Sequence, residues 1–157
     1  MSHTVVDSPV GPLTLVDENG LLAGLFMHEQ RHLPGSAAFG ARDDGVLPEV
    51  RAQLDAYFTG SLRDFDIPLA TTGTPFQQQV WAALRAVPYG STCTYGDLAA
   101  AVGRPSAVRA VGAANGRNPV CVVVPCHRVV GAGGSLTGYA GGLERKSYLL
   151  ALEAGVS

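Results

Sequence analysis

Thr94-Tyr-Gly-Asp-Leu-Ala-Ala-Ala-Val-Gly-Arg-Pro-Ser-Ala-Val-Arg-Ala-Val-Gly-Ala-Ala-Asn-Gly116 is the stretch that decides the fold. Thr94 followed three residues later by Asp97 has the form of a capping box, so a helix opens here and runs to about Val102. Gly103-Arg-Pro-Ser106 makes a turn. Ser106 then caps a second helix, Ala107 to about Asn115, which Gly116 ends. Two helices joined by a short turn containing glycine have the spacing of a helix-turn-helix. Helix hairpins also occur in folds that never meet nucleic acid, so the spacing alone leaves both readings open. Two details favour a partner. Ala107, Ala110, Gly112, Ala113 and Ala114 make the second helix small-sided, which lets its backbone approach another surface closely. It also carries Arg109, with Arg117 just beyond its end.

Upstream, Thr74 is an N-cap with Pro75 at the first helical position. Phe76, Val80, Trp81 and Leu84 follow as an apolar stripe, ended by Pro88-Tyr-Gly90, and Trp81 reads as core. The first half reads as strands followed by a helix. Val5-Val6 and Leu13 to Val16 are short β-prone runs, Asn19-Gly20 is a hairpin turn, and Leu21 to Met27 returns. Residues 28–45 show no period and read as an exposed loop. Leu47, Val50, Leu54, Tyr57 and Phe58 recur at helical spacing before Gly60, and Phe65 to Leu69 is a further strand candidate. A break at Thr71-Thr-Gly divides residues 1–70 from 71–157.

The chain has 157 residues, enough to bury a core without covalent staples. No run of about 18 apolar residues exists to span a membrane, and the first residues lack a signal-peptide pattern. Cys93, Cys121 and Cys126 are an odd set, which argues against a disulfide framework and for a reducing cytoplasm. The net charge of −2 conceals an asymmetry: residues 1–73 carry −6 and residues 74–157 carry +4. A basic half is suited to a polyanion.

Downstream of the helix pair, Val120-Cys-Val-Val-Val124 is a buried apolar run that delivers the chain to Pro125-Cys-His-Arg-Val-Val130. Pro125 biases Val124 toward extended backbone and presents Cys126 at a rigid step. A thiol of pKa about 8.5 is only a few per cent ionised at pH 7, so a nucleophilic Cys126 needs a base, and His127 is the candidate. Neighbours in an extended chain point to opposite sides, so a bridging water suits this pair better than a direct bond. The competing reading is a buried structural cysteine beside a surface histidine. Gly131-Ala-Gly-Gly134 and Thr137-Gly-Tyr-Ala-Gly-Gly142 then offer a glycine-rich backbone able to line a pocket. Leu143 to Leu152 is a helix, and Glu153 near its end is placed to orient His127 as a carboxylate orients a catalytic imidazole.

Pro125-Cys-His-Arg-Val129, preceded by Arg109-Ala-Val-Gly112 and Asn118-Pro119 and followed by Tyr139-Ala-Gly-Gly142, resembles the O6-alkylguanine-DNA alkyltransferase family. The likeness runs from about Thr74 to Glu153. Ser8-Pro-Val-Gly-Pro-Leu-Thr14 is the best local likeness in the first half. The resemblance implies an α+β protein with a small ribonuclease-H-like α/β part of three strands, followed by a helical, winged-helix-like DNA-binding part. It implies that Cys126 accepts the alkyl group, once per molecule, that His127 takes its proton through water, and that Glu153 holds His127. Arg109 would replace the flipped nucleotide in the duplex, and Tyr95 would crowd the target phosphate and bond the base. Asn118 would brace the turn before the active-site segment. Tyr139 and the Ala140 N–H would close over guanine, and the carbonyls of Cys126 and Val129 would accept from its amine. Ser106, Ala107, Ala110, Ala113, Arg117 and Arg128 would complete the DNA-facing set.

Cys121 stands where some relatives have proline, on the pocket side, and Ala140 where some have serine. The structural zinc of some relatives has no matching cysteines before residue 90, and His28 with His32 offers no third ligand, so neither a metal nor a cofactor is expected. The expected partner is double-stranded DNA bearing O6-alkylguanine, met by a monomer, with clustering on DNA and action on O4-alkylthymine left open. Two rivals remain at this level: a lesion-binding relative that repairs nothing, and a cysteine hydrolase.

Overall fold

The computed structural model describes residues 1–155. Strands β1 (Ser2–Val6), β2 (Leu13–Glu18) and β3 (Leu21–Met27) form an antiparallel meander. Asn19 (φ 53°) and Gly20 (φ 85°) supply the two left-handed residues that a two-residue hairpin turn requires. A fourth strand, β4 (Ala41–Arg42), pairs parallel with β1, giving the order β3-β2-β1-β4. The sheet therefore has four strands where the sequence suggests three. Residues 28–45 are correspondingly less featureless than they read: they hold β4, and Phe39 stacks on Phe26 with ring centroids 5.6 Å apart. The segment from Phe65 makes no full strand, only a parallel bridge between Leu69 and Leu22.

Helix α1 (Pro48–Phe58) packs Val50, Leu54 and Tyr57 into the core. Helix α2 (Pro75–Arg85) opens on a capping box between Thr74 and Gln77 and buries Val80, Trp81 and Leu84. The Trp81 indole N–H donates to the Ala114 carbonyl at 2.9 Å, tying α2 to the helix pair. Strand β5 (Cys93–Thr94) leads into α3 (Tyr95–Ala101), whose Thr94–Asp97 capping box has the form read from the sequence. Helix α4 (Val108–Gly116) starts at Val108, not Ala107, and Ser106 does not cap it. Ala107 holds the cap position without a side-chain bond. Strand β6 (Val129–Val130) pairs parallel with β5, and α5 (Leu143–Glu153) closes the structure.

The two halves share one apolar core running from Leu13, Leu15 and Leu25 of the sheet through Val80 and Leu84 to Val111 and Leu149. They are also joined by backbone. Leu25 N–H donates to the Pro119 carbonyl at 2.9 Å, and Cys121 N–H donates to the Leu25 carbonyl at 3.2 Å. The sheet edge thus continues directly into the segment that precedes Cys126. Among the described residues, no helix is long and apolar enough to cross a membrane.

Candidate active site

Residues 120–124 are buried as the sequence indicates, but they do not form a strand. Val123 N–H donates to the Cys121 carbonyl at 2.8 Å and Val124 N–H to the Val120 carbonyl at 3.0 Å, which closes a tight turn. At its centre Val122 has φ 72°, a left-handed conformation that a β-branched residue adopts only under constraint. The constraint is Asn118. Its Nδ2 donates to the Val124 carbonyl at 2.8 Å, and its Oδ1 accepts from Val120 N–H at 3.0 Å. Replacing Asn118 with Ala should leave these buried groups unpaired and cost about 1–3 kcal/mol, read by denaturant unfolding. Retained stability would show that the turn holds itself.

Past the turn, Cys126-His-Arg128 form one turn of 3₁₀ helix rather than extended chain. The side chains fan out at roughly 120° steps, so Cys126 and His127 still diverge. Cys126, only 2 % exposed, forms the floor of a cavity of about 370 Å³. Tyr95, Gly112, Ala113, Asn115 and Arg117 line it from the helix pair and the turn after it, and Gly138, Tyr139 and Ala140 from the glycine-rich loop. Arg31 and His32 complete the rim from the first half, held there by Arg31 N–H donating to the Ala140 carbonyl at 2.7 Å. A Cβ on Gly141 would meet Met27 Sδ at 2.5 Å and Tyr139 Cε2 at 2.8 Å, so only glycine lets this loop close down on β3.

His127 is fully buried, not a surface residue. Its Nε2 lies 2.7 Å from Glu153 Oε2. A carboxylate partner fixes the ring proton on Nε2 and leaves Nδ1 as an acceptor, and Nδ1 has no partner among the described residues. Burial holds the imidazole below its ordinary pKa, against the pull of Glu153. The ring therefore stays neutral and basic at neutral pH. Burial alone would raise the Glu153 carboxyl, but the bonds from His127, Arg128 and Tyr57 prevail and bring it down to about 2.

The Cys126 thiol is held below its ordinary pKa. The largest influence is the Cys121 thiol as a hydrogen-bond donor. Burial opposes it, and the Asn118 amide and the Lys146 ammonium favour the thiolate. Cys121, shielded from solvent and 3.6 Å from Gln30 Oε1, is pushed well up and keeps its proton. Lys146 is itself buried, its Nζ donating to the Thr137 carbonyl at 2.8 Å.

Several residues sit elsewhere than the sequence suggests. Arg128 does not face outward toward DNA. It is 6 % exposed and bidentate on Glu153, with Nε to Oε1 at 2.8 Å and Nη2 to Oε2 at 2.9 Å, while Nη1 donates to the Val87 carbonyl. The 3₁₀ turn directs it inward. Val129 and Cys121 do not line the cavity. Val129 is turned into the β5–β6 pair, and Cys121 lies behind Cys126. Ser106, Arg109, Ala110, Ala113 and Arg117 are exposed along one edge of the helix pair, with Ala107 half-buried. Arg31, His32, Asn115 and Lys146 are not legible as site residues in the sequence. Asn115 is the nearest to it, because it is the one uncharged polar side chain in the small-residue helix. Its Oδ1 and the Tyr139 hydroxyl are buried at the cavity wall with no hydrogen-bond partner among the described residues. Among the described residues no group of three or more His, Cys, Asp or Glu is placed to hold a metal ion.

A sheet-and-helix half, a helix-turn-helix half and a buried cysteine next to an imidazole–carboxylate pair define a protein with a cysteine-centred cavity beneath a helix pair. Comparison with known proteins makes this specific. Residues 1–71 match the ribonuclease-like domain of 6-O-methylguanine DNA methyltransferase, and residues 75–155 match its DNA-binding domain. The methylated-DNA–protein-cysteine methyltransferase of Mycobacterium tuberculosis H37Rv is 50% identical over 151 residues, covering 96% of this chain and 91% of that protein. The protein of the same name from Methanosarcina acetivorans is 47% identical over 154 residues, covering 98% of each chain. The crystal structure of Mycobacterium tuberculosis OGT in complex with DNA superposes with a TM-score of 0.92 at 47% identity, covering 99% of this chain and 94% of that one. The chain belongs to the 6-O-methylguanine-DNA methyltransferase family.

Proposed function

We propose that this protein repairs O6-alkylguanine in DNA by transferring the alkyl group irreversibly to its own Cys126. The observation that carries the reading is Cys126 on the floor of a cavity beneath the helix pair, with the His127 Nδ1 free and its Nε2 held by Glu153. A lesion stacked inside a duplex cannot reach a buried thiol, so the nucleotide must leave the stack. Arg109, exposed on α4, fills the space it vacates, and the small-sided face of Ala107, Ala110 and Ala113 lets α4 approach the groove. Tyr95, half-buried at the cavity mouth, turns the target phosphate. The flipped base then lies against Tyr139, with Asn115 and the Ala140 N–H beside it.

The chemistry is an in-line displacement at the alkyl carbon. The Cys126 proton passes through a water to His127 Nδ1. The sulfur–carbon bond forms as the carbon–O6 bond breaks, and guanine leaves with the bonding pair, its developing charge met by a hydrogen bond and then by a proton from water, while His127 gives up to solvent the proton it took from Cys126. A thioether does not hydrolyse in neutral water, so each molecule acts once. Residues 1–70 and 71–157 serve as two units of one reaction: the first supplies the rim at Arg31 and His32, the second the helix pair and the nucleophile. The chain works as a monomer on duplex DNA in the cytoplasm.

Intact mass before and after exposure to duplex DNA containing O6-methylguanine tests this. The expected result is a gain of about 14 Da, mapped to Cys126 and absent from Cys93 and Cys121, because only an activated thiolate attacks. Cys126→Ala should bind the same DNA and gain nothing. Binding without a mass change in the wild type would make the protein a lesion sensor, and label on Cys121 would move the nucleophile.

A further inference from the structure

Glu153 accepts from three side chains, and one of them comes from the far half of the molecule. The Tyr57 hydroxyl, on α1, donates to Glu153 Oε2 at 2.6 Å across 96 residues of sequence. That length is typical of a hydroxyl bound to an ionised carboxylate. Tyr57 is fully buried, and its ring is held by Phe58, Phe65 and Tyr89 at centroid distances of 5.2, 5.1 and 6.2 Å. The same Oε2 faces His127 Nε2 at 2.7 Å and Arg128 Nη2 at 2.9 Å. A carboxylate oxygen has two lone pairs, and three donors crowd it. The hydroxyl therefore competes with the imidazole for the same electrons.

We propose that Tyr57 is a positioning residue for the alkyl-transfer base: its hydroxyl pins Glu153 and sets how strongly that carboxylate pulls on His127. This rests on the alkyl-transfer reading above. A buried phenol beside a carboxylate stays protonated throughout the working range, because burial and the Glu153 charge both push its pKa up. Tyr57 is thus a permanent donor. It draws charge from Oε2, keeps Glu153 ionised, and tempers the basicity of the ring. Among the described residues the charged and titratable groups bonded to this carboxylate are His127, Arg128 and Tyr57, and Arg63 shares a cavity with it and lies over the Tyr89 ring at 5.4 Å. Tyr89 packs on Tyr57, and the Lys146 charge reaches His127.

Removing the hydroxyl frees Oε2 to draw harder on the imidazole. His127 then takes up a proton at a higher pH, and Glu153 does the same. Both changes remove the free base as pH falls, so the acid limb of the rate profile moves to higher pH. The experiment compares wild type, Tyr57→Phe and a protein with 3-fluorotyrosine placed at position 57. Single-turnover transfer is followed against pH, and the His127 ring is titrated by ¹⁵N NMR without any DNA. Phenylalanine should raise the His127 midpoint, shift the acid limb upward and slow transfer about 3–10-fold on that limb, on the scale of one hydrogen bond. Fluorotyrosine keeps the shape and strengthens the donor, so it should move the midpoint the opposite way. A role in packing alone predicts no movement with fluorotyrosine, and that result, or an unchanged midpoint in the phenylalanine protein, overturns the proposal. The NMR titration reads Tyr57 independently of transfer, whereas a wild type that transfers nothing to Cys126 defeats the alkyl-transfer reading instead.

Discussion

Replacing Glu153 with Gln should slow alkyl transfer by about 10²–10⁴-fold at neutral pH, the range lost when a general base is removed. The amide has no charge to fix the His127 proton on Nε2, so Nδ1 is no longer reserved as the acceptor. The same change should lower stability by about 3–5 kcal/mol, because it leaves the Arg128 guanidinium buried without its counter-ion. Single-turnover rates and thermal unfolding measure the two effects separately. His127→Ala should be comparably slow, and the double variant little slower than the worse single one, since the two residues act as a unit. Additive losses, or a Glu153→Gln protein as fast as wild type, would break the relay. The wild type should carry a matching pH signature. Both groups have folded pKa values below their ordinary ones, so each stabilises the fold above its unfolded pKa and loses that contribution as pH falls. His127 begins to be felt below about pH 6.5, and Glu153 between its ordinary 4.5 and its folded value of about 2. Glu153→Gln should flatten the lower part of that acid transition.

Arg109→Ala should slow repair of duplex DNA by on the order of 10²-fold, the kinetic weight of a few kcal/mol of unstacking. Its reaction with free O6-benzylguanine should hardly change, because a free base needs no extrusion. The side chain is exposed on α4 and makes no hydrogen bond among the described residues, so its loss should leave the unfolding free energy within about 0.5 kcal/mol of wild type. The comparison of the two substrates by single-turnover assay decides the matter. An equal loss on both would assign Arg109 to the shape of the cavity.

Local chemistry is the part of this molecule that can be read from its sequence. Thr94 with Asp97, Thr74 with Pro75, and Asn19-Gly20 each act within a few residues, and each forms the structure its residue types favour. Pro125-Cys-His marks the nucleophile for the same reason. What cannot be read is set by partners far along the chain. Arg128 looks like a surface cation until Glu153, 25 residues later, folds onto it. Tyr57 reads as one more apolar position of a helical stripe, because nothing nearby announces a carboxylate 96 residues away. Arg31 and His32 reach the cavity only because Arg31 bonds Ala140 across the halves. Val122 is opaque in a different way. No propensity predicts a left-handed valine, and only the Asn118 clamp explains it.

The contacts between Glu153, His127 and Tyr57 also bear on the protein's first moments. A chain leaves the ribosome from its N-terminus, and Cys126 emerges well before the last turn of α5. Until that turn docks, the imidazole has no carboxylate and Lys146 no buried seat, so the thiol lacks part of the environment that activates it. The complete network includes a contact across 96 residues, and contacts between residues so far apart in sequence are slow to form. On the reading proposed above, in which each molecule acts once, a thiol that is fully activated only in the folded protein guards against alkylation while the chain is still being made.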